Sequence, residues 1–355
     1  MGAESVTSAG TRSMKNVSFS LGLFPTESPR RIVELTKLAE DLGYSTVYIG
    51  DSQMIWREAH VILGAAAVAT SRILLAPGVT NPVTRDPAVI AAACATLDEL
   101  TSGRGLLGIG TGDSALETVG KRPAKLAYLE QSIGAIRALL AGEPTIHPDS
   151  KARARLTYAR AGGHTPVYLA VSGPKIHRLA GRIGDGAIVL AGIDPGLLGA
   201  SRRELQAGAA ETGRDLEADG FKVVCWTPCS IQDDGRAAHK AVKAHVARIL
   251  KRDLPFALDS ETMEAAQIIR EQYEYYEHMV VGTEHGVPVP DNVVEKFAVA
   301  GTLAEAREQI ERLAATGLVD EIAIIPHTGE PVERERIIRQ VGAMMREDGT
   351  AVEVC

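Results

Sequence analysis

Eight short runs of β-branched and apolar residues alternate with longer amphipathic stretches along this chain, and that alternation constrains the fold more than any single motif. Strands are predicted at 17–24 (VSFSLGLF), 45–50 (STVYIG), 72–78 (RILLAPG), 104–110 (RGLLGIG), 166–172 (PVYLAVS), 186–192 (GAIVLAG), 221–231 (FKVVCWTPCSI) and 321–327 (EIAIIPH). Helices are predicted to follow each of them, at 29–43, 57–70, 85–102, 119–141, 174–184, 195–213, 235–251 and 331–347. Strands joined through helices pair in parallel, because the crossover returns the chain to the same end of the sheet. Eight such units predict an α/β fold, a (β/α)8 TIM barrel with insertions, and an open doubly wound sheet is the alternative. Helix punctuation agrees. Pro29 and Pro174 suit first turns, Gly43 ends a helix, and Thr302 with Glu305 has capping-box spacing before a stop at Gly317.

A barrel of this kind needs about 250 residues, which leaves roughly a hundred for insertions. Two segments account for much of that surplus: 142–165, rich in Gly, Pro and basic residues, and 252–300. Both are expected to roof the substrate side of a single domain spanning 17–348. The second contains EAAQIIREQYEYYEHMVVGTEHG (264–286), which reads as helical, its Tyr273, Tyr275 and Tyr276 serving either packing or ligand contact. Residues 1–16 and 349–355 read as tails. The first lacks the apolar stretch of a secretory signal, and no run approaches the ~20 apolar residues that span a bilayer.

The formal charge of −7 and pI of about 5.8 argue against nucleic acid or an anionic membrane as partner, since both reward clustered Lys and Arg. An anionic ligand must therefore be held by local geometry. Cys94, Cys225, Cys229 and Cys355 form no C-x-x-C pair and no Cys/His cluster, so no metal site and a reducing, cytoplasmic setting are expected, with Cys225 and Cys229 as small buried residues.

Barrel chemistry is built in the loops after the strands. Five of these loops carry candidate residues. GDSQMIWREAH places Asp51 and Ser52 at the mouth of strand two, as site residues or as helix caps. PGVTNPVTRDP (77–87), after strand three, is too specific a mixture for a spacer. GIGTGDSALE lets main chain approach a bulky planar ligand at Gly108, Gly110 and Gly112, with Asp113 and Glu117 as acceptors; otherwise it is a tight turn with solvated acids. VSGPK and AGIDPG offer backbone donors at Ser172, Gly173, Ala191, Gly192 and Ile193, either an anion site for a phosphate monoester or two ordinary capped helices. His327 ends strand eight as an acid–base candidate or a loop histidine.

DSQMIWRE, GVTNPVTRDP, LDELTSGRGLLGIGTGDSALETVGKRPAK, AVSGPKIHRLAGRIGDGAIVLAG and the tail FAVAGTLAEAREQIERLAATGLVDEIAIIP together resemble the luciferase-like TIM-barrel superfamily, in particular its deazaflavin branch, typified by methylenetetrahydromethanopterin reductase. The resemblance runs from about residue 17 to 345. It implies a β-bulge at the end of strand three with a non-prolyl cis peptide, at Gly78–Val79, backing the central ring of the cofactor. It also implies cofactor contacts at Gly78, Val79, Thr80, Asn81, Gly110, Thr111, Ser172, Gly173, Ala191 and Gly192, catalytic roles for Asp51, Ser52 and Glu117, and Asn81 and Arg85 holding the bulge or capping the next helix. The implied activity is hydride transfer between the deazaflavin coenzyme F-420 (F420) and a small organic substrate. Reduced FMN supplied by a partner flavin reductase, for monooxygenation, is the alternative, and a non-catalytic cofactor-binding barrel is a third. A homodimer is the family expectation, with GAAAVAT and AAACATLDEL offering small-residue helix faces. One departure stands out: relatives oxidising sugars or alcohols carry an acid–histidine pair where this chain has Asp51-Ser52, so no imidazole base is available there.

Overall fold

The computed structural model describes residues 14, 17–159, 162–252, 254, 258–277 and 280–347; the two expected tails lie outside the described residues except for Met14. In chain order the elements are β1 (Ser18–Leu23), α1 (Pro29–Leu42), β2 (Thr46–Ile49), α2 (Ala59–Ala69), β3 (Leu74–Pro77), α3 (Pro87–Thr101), β4 (Leu107–Ile109), α4 (Ser114–Glu117), α5 (Leu126–Leu140), β5 (Thr145–Ile146) and β6 (Arg153–Ala154). There follow β7 (Val167–Val171), α6 (Pro174–Ile183), β8 (Gly186–Val189), α7 (Pro195–Ala210), β9 (Lys222–Ile231), α8 (Gly235–Leu250), α9 (Ser260–Gln272), α10 (Asp291–Phe297), β10 (Val299–Gly301), α11 (Leu303–Ala315), β11 (Glu321–Pro326) and α12 (Pro331–Glu347).

All eight expected barrel strands form inside their expected bounds, and they pair in parallel in the order β3-β2-β1-β11-β9-β8-β7-β4. Two isolated bridges close the ring, Leu75 to Gly105 and Thr80 to Ile109. Between those bridges β3 uses one residue more than β4, which makes its end a β-bulge. The Gly78–Val79 peptide inside that bulge is cis, at the bond the resemblance implies. The bulge pushes the Pro77 carbonyl towards β4, where a Cβ on Gly108 would lie 2.2 Å from that oxygen. Gly108 is therefore glycine because the neighbouring main chain occupies the space of a side chain.

Alternation along the strands splits the core into two shells. One set, including Leu21, Val47, Leu75, Leu107, Leu169 and Ile324, faces outward and is covered by the helices. The other fills the barrel itself: Tyr48, Ala76, Tyr168, Ile188, Val224, Trp226, Ala323 and Ile325. At its closed end the Tyr48 hydroxyl donates to the buried Glu321 carboxylate at 3.0 Å, and burial raises the Glu321 pKa. Gly22 makes room above, since a Cβ there would lie 2.2 Å from Ile325 Cδ1 and 3.0 Å from Trp226.

Caps set the helix starts. Ser28, Asp86, Asp194 and Asp234 accept first-turn N–H bonds in α1, α3, α7 and α8, with proline opening the first three of these helices, and α11 has the complete Thr302–Glu305 capping box. Two expectations are corrected. The helix expected at 119–141 starts only at Leu126, after the short α4 and a loop. The helical reading of 264–286 holds for α9 to Gln272, where Tyr273 turns extended and its ring and that of Tyr275 pack around the Lys251 ammonium; among the described residues after it only a 3-10 turn at Glu284–Gly286 is helical.

The insertions differ in role. Within 142–165, β5 and β6 form a hairpin whose turn is pinned to helix ends: His147 Nε2 lies 3.0 Å from the α3 cap Asp86, and Tyr128 donates to Asp149 at 2.6 Å. This strap lies along α3 and α5, and none of its described residues lines the barrel mouth, contrary to the expected roof. The segment 252–300 does reach that side. Its helices α9 and α10 build a separate apolar cluster on α8 from Val242, Val246, Ala266, Ile269, Val293 and Phe297, and Tyr276 donates to the Thr118 carbonyl at 3.3 Å. Its Arg252 lines the mouth.

Candidate active site

At the C-terminal ends of the strands lies a partly open cavity. One wall is the bulge, with Gly78, Val79 and Asn81; the loop after β4 supplies Gly110, Thr111, Gly112, Asp113, Ser114 and Ala115. Strand residues Ala170, Ile188, Leu190 and Trp226 form an apolar base, and Phe24 and Trp56 add a stacked aromatic pair, their ring centroids 4.5 Å apart.

The bulge is held by its own polar residues. Thr80 is pinned to β4 through its main chain, its N–H donating to Gly108 and its carbonyl accepting from Gly110, both at 3.0 Å. Asn81 Oδ1 accepts from the Val83 and Thr84 N–H groups and its amide donates to the Thr84 hydroxyl, an Asx turn that fixes the loop. Arg85 does not cap the following helix. Its guanidinium grips Asp51, with Nε at 3.0 Å and Nη2 at 3.3 Å, and also contacts Glu58, the N-cap of α2. Asp51, with only 3% of its side chain exposed, is thereby a fixed carboxylate in the cavity wall.

Eight of the sequence-derived candidate residues line the cavity together: Asp51, Gly78, Val79, Asn81, Gly110, Thr111, Gly112 and Asp113. The others do not. Ser52 is buried and donates to the Ser114 hydroxyl at 3.0 Å, a structural bond between the loops after β2 and β4. Thr80 is fully buried behind the bulge, and Glu117 is exposed at the end of α4. Ser172 and Gly173 are half-buried where β7 passes into α6, whose N-cap Gly173 adds no side-chain cap. Ala191 and Gly192 are buried, and the donors expected beyond them are taken: the Ile193 and Asp194 N–H groups both go to the Lys296 carbonyl.

The strand residues Phe24, Ala170, Ile188 and Trp226 were legible as the inward half of a two-residue period once the barrel was assigned. Arg248 and Arg252 were not, because basic residues one turn apart on an outer helix look like a solvated face. His327 has a partner after all: its Nε2 lies 2.6 Å from Nδ1 of the buried His245 on α8, beside the Phe24 ring. Burial, with Arg334 nearby, holds the His327 pKa down to about 3. The thiols of Cys94, Cys225 and Cys229 are pushed up to about 12 by burial and are inert packing groups. Asp51, Glu58 and His60 cluster closely enough to hold a metal, but the Arg85 guanidinium already occupies the acidic side of that cluster.

Fold and site thus define a (β/α)8 barrel whose mouth is walled by the bulged end of its third strand over a largely apolar base. The chain belongs to the luciferase-like monooxygenase family, whose family model matches residues 6–320. It is 31% identical over 354 residues to the 5,10-methylenetetrahydromethanopterin reductase of Methanopyrus kandleri, covering 93% of this chain and 97% of that one. It is 38% identical over 180 residues to an F420-dependent glucose-6-phosphate dehydrogenase of Beutenbergia cavernae, covering 46% of this chain and 54% of the other. The solved structure of the coenzyme F420 dependent tetrahydromethanopterin reductase from Methanopyrus kandleri superposes with a TM-score of 0.74 at 27% identity over 92% of this chain and 97% of that one.

Proposed function

We propose that this protein is an F420-dependent oxidoreductase that transfers a hydride between the deazaflavin and a small organic substrate in the barrel mouth. The observation that carries this reading is the bulge: it lines the cavity with Gly78 and Val79, and the β4 loop beside it adds Gly110. The relatives named for F420 support this identity of the cofactor. When bound, F420 supplies a two-electron hydride acceptor or donor at C5 of its ring. The chain's own residues position and polarise. Gly78, Val79, Gly110 and Thr111 seat the ring, Ser172 and Gly173 at the head of α6 receive the phosphate, and Asp51, locked by Arg85, presents a fixed negative charge to the reacting face. Ser52 supplies no imidazole and is engaged with Ser114, so the substrate is one whose oxidation or reduction needs no histidine base at that position.

Titration of the purified protein with F420 and with FMN, followed by absorbance, tests this reading. Saturable perturbation of the band near 420 nm is expected. Binding of FMN in its place would shift the assignment to a monooxygenase fed by a partner flavin reductase, and binding of neither would leave a non-catalytic barrel.

We also propose a homodimer through α2 and α3. Val61, Ala65 and Val68 share one exposed face of α2, with the two valines 70% and 73% exposed, and Val89 and Leu100 continue it on α3. Light scattering is expected to give a dimer for the wild type and a monomer for the Val61→Glu, Val68→Glu double variant; a monomeric wild type refutes the interface. The proposed compartment is a reducing cytoplasm, supported by the three buried thiols. Among the described residues no helix is long and apolar enough to cross a membrane.

A further inference from the structure

The loop after β4 meets helix α8 and the residues just past its end over the mouth through three charged side chains that all line the cavity: Asp113, Arg248 and Arg252. One oxygen of Asp113 serves both arginines, 3.3 Å from Arg248 Nε and in contact with Arg252 Nη2. The two guanidinium groups are one helical turn apart, and Lys251 stands between them in sequence with its ammonium over the Tyr273 and Tyr275 rings. A single carboxylate thus faces two guanidinium groups, in a protein whose overall charge is negative. Donors are left over: among the described residues Nη1 of Arg248 and Nε of Arg252 are buried without a hydrogen-bond partner, and Arg248 Nε, though close to Asp113, makes no well-aligned hydrogen bond to it. Burial, with Arg252 as a like charge, holds the Arg248 pKa down to about 10, against the pull of Asp113. Unsatisfied guanidinium donors around a cavity are matched by a planar or tetrahedral oxyanion, whose oxygens accept two N–H bonds at once.

We infer that Arg248 and Arg252, braced by Asp113, form an oxyanion subsite of this cavity that takes a carboxylate or phosphate group. The assignment rests on the hydride-transfer reading above for its place beside a cofactor, though not for the binding itself. Ser172 and Gly173, proposed for the cofactor phosphate, lie outside the residues lining this cavity. That placement leaves the arginine pair open to an anionic group on the substrate. An acidic part of the cofactor's own tail is the other source of the same chemistry.

The experiment is calorimetric titration of the apo-protein with inorganic phosphate, for the wild type and for Arg252→Gln, Arg252→Lys and Asp113→Asn. Loss of one guanidinium in Arg252→Gln is expected to weaken phosphate at least tenfold, with Arg252→Lys in between. Asp113→Asn is expected to tighten it several-fold by removing the competing carboxylate. A purely structural ion cluster would instead weaken or leave unchanged the binding in Asp113→Asn. That result, or equal phosphate affinity in the wild type and Arg252→Gln, overturns the subsite. Thermal melting of each variant separates loss of fold from loss of binding, and the conservative Arg252→Lys guards against a misfolded Arg252→Gln. A second arm finds the source of the anion. If Arg252→Gln weakens F420 but not the same deazaflavin ring lacking phosphate and tail, the subsite serves the cofactor; if it weakens neither, the subsite serves the substrate. Because the phosphate arm uses no cofactor, it stands or falls independently of whether the wild type binds F420.

Discussion

Gly110→Leu is expected to leave the barrel folded and to weaken deazaflavin binding at least 100-fold, which is about 2.7 kcal/mol. The first carbon of the new side chain fits, since a Cβ on Gly110 meets Ala170 Cβ and Val79 Cγ2 at 3.4 Å, close to ordinary contact. The rest of the leucine has no room among those neighbours and must project into the cavity that Gly110 lines. It would stand where a rigid tricycle has to lie, and a fused aromatic ring cannot bend around it. Absorbance titration near 420 nm reads the affinity, and a thermal melt within a few degrees of the wild type shows that the fold persists. A variant that binds F420 as tightly as the wild type would remove the ring from this wall of the barrel.

Acidification is expected to unfold this protein through a histidine pair. His327 has its folded pKa held near 3, far below the ordinary 6.5, by burial and secondarily by Arg334, with His245 and the Phe24 ring as its other close neighbours. A depressed histidine pKa means that the unfolded chain takes up the proton more readily. The stability is therefore complete above pH 6.5 and declines as pH falls towards 3, at up to about 1.4 kcal/mol per unit. Two neutral rings share one N–H between Nδ1 of His245 and Nε2 of His327, whereas two protonated rings at 2.6 Å repel. Urea unfolding at pH 7.5, 6.5, 5.5 and 4.5 measures the slope. His327→Asn is expected to flatten it while lowering the stability at pH 7.5. An unchanged slope in that variant would move the acid sensitivity to other groups, of which the buried His177, its pKa also lowered by burial, is the first to examine.

How much of this was legible in the chain varies with the range of the interaction. Strands, caps and the barrel were readable because each depends on periodicity or on residues within one turn; the Thr302–Glu305 capping box is written in four consecutive positions. The bulge was readable only through the resemblance, since nothing local to Gly78 announces an extra residue against β4. The cavity wall was half readable. Asp51 was placed there by its position at a strand end, but its pairing with Arg85, 34 residues away, was not legible: the resemblance gave Arg85 as holding the bulge or capping the next helix, and nothing local links it to Asp51. Ser52, Thr80 and Glu117 do not line the cavity, for a shared reason: lying in a mouth loop does not say which side chains face inward. The Asp113–Arg248–Arg252 cluster joins loops more than a hundred residues apart and carries no local signal. The hairpin at 142–165 was taken for a roof because length and composition give no direction, and only the His147–Asp86 and Tyr128–Asp149 bonds show that it runs along the outside.

The way the ring closes has a mechanical consequence. Seven neighbouring strand pairs are zipped by regular ladders, whereas β3 and β4 are joined by two single stitches on either side of the bulge. The same interruption that bares main chain to a ligand is therefore the weakest line on the cylinder's circumference. Any breathing of the barrel is expected to part along that seam first, directly under the wall proposed to seat the cofactor.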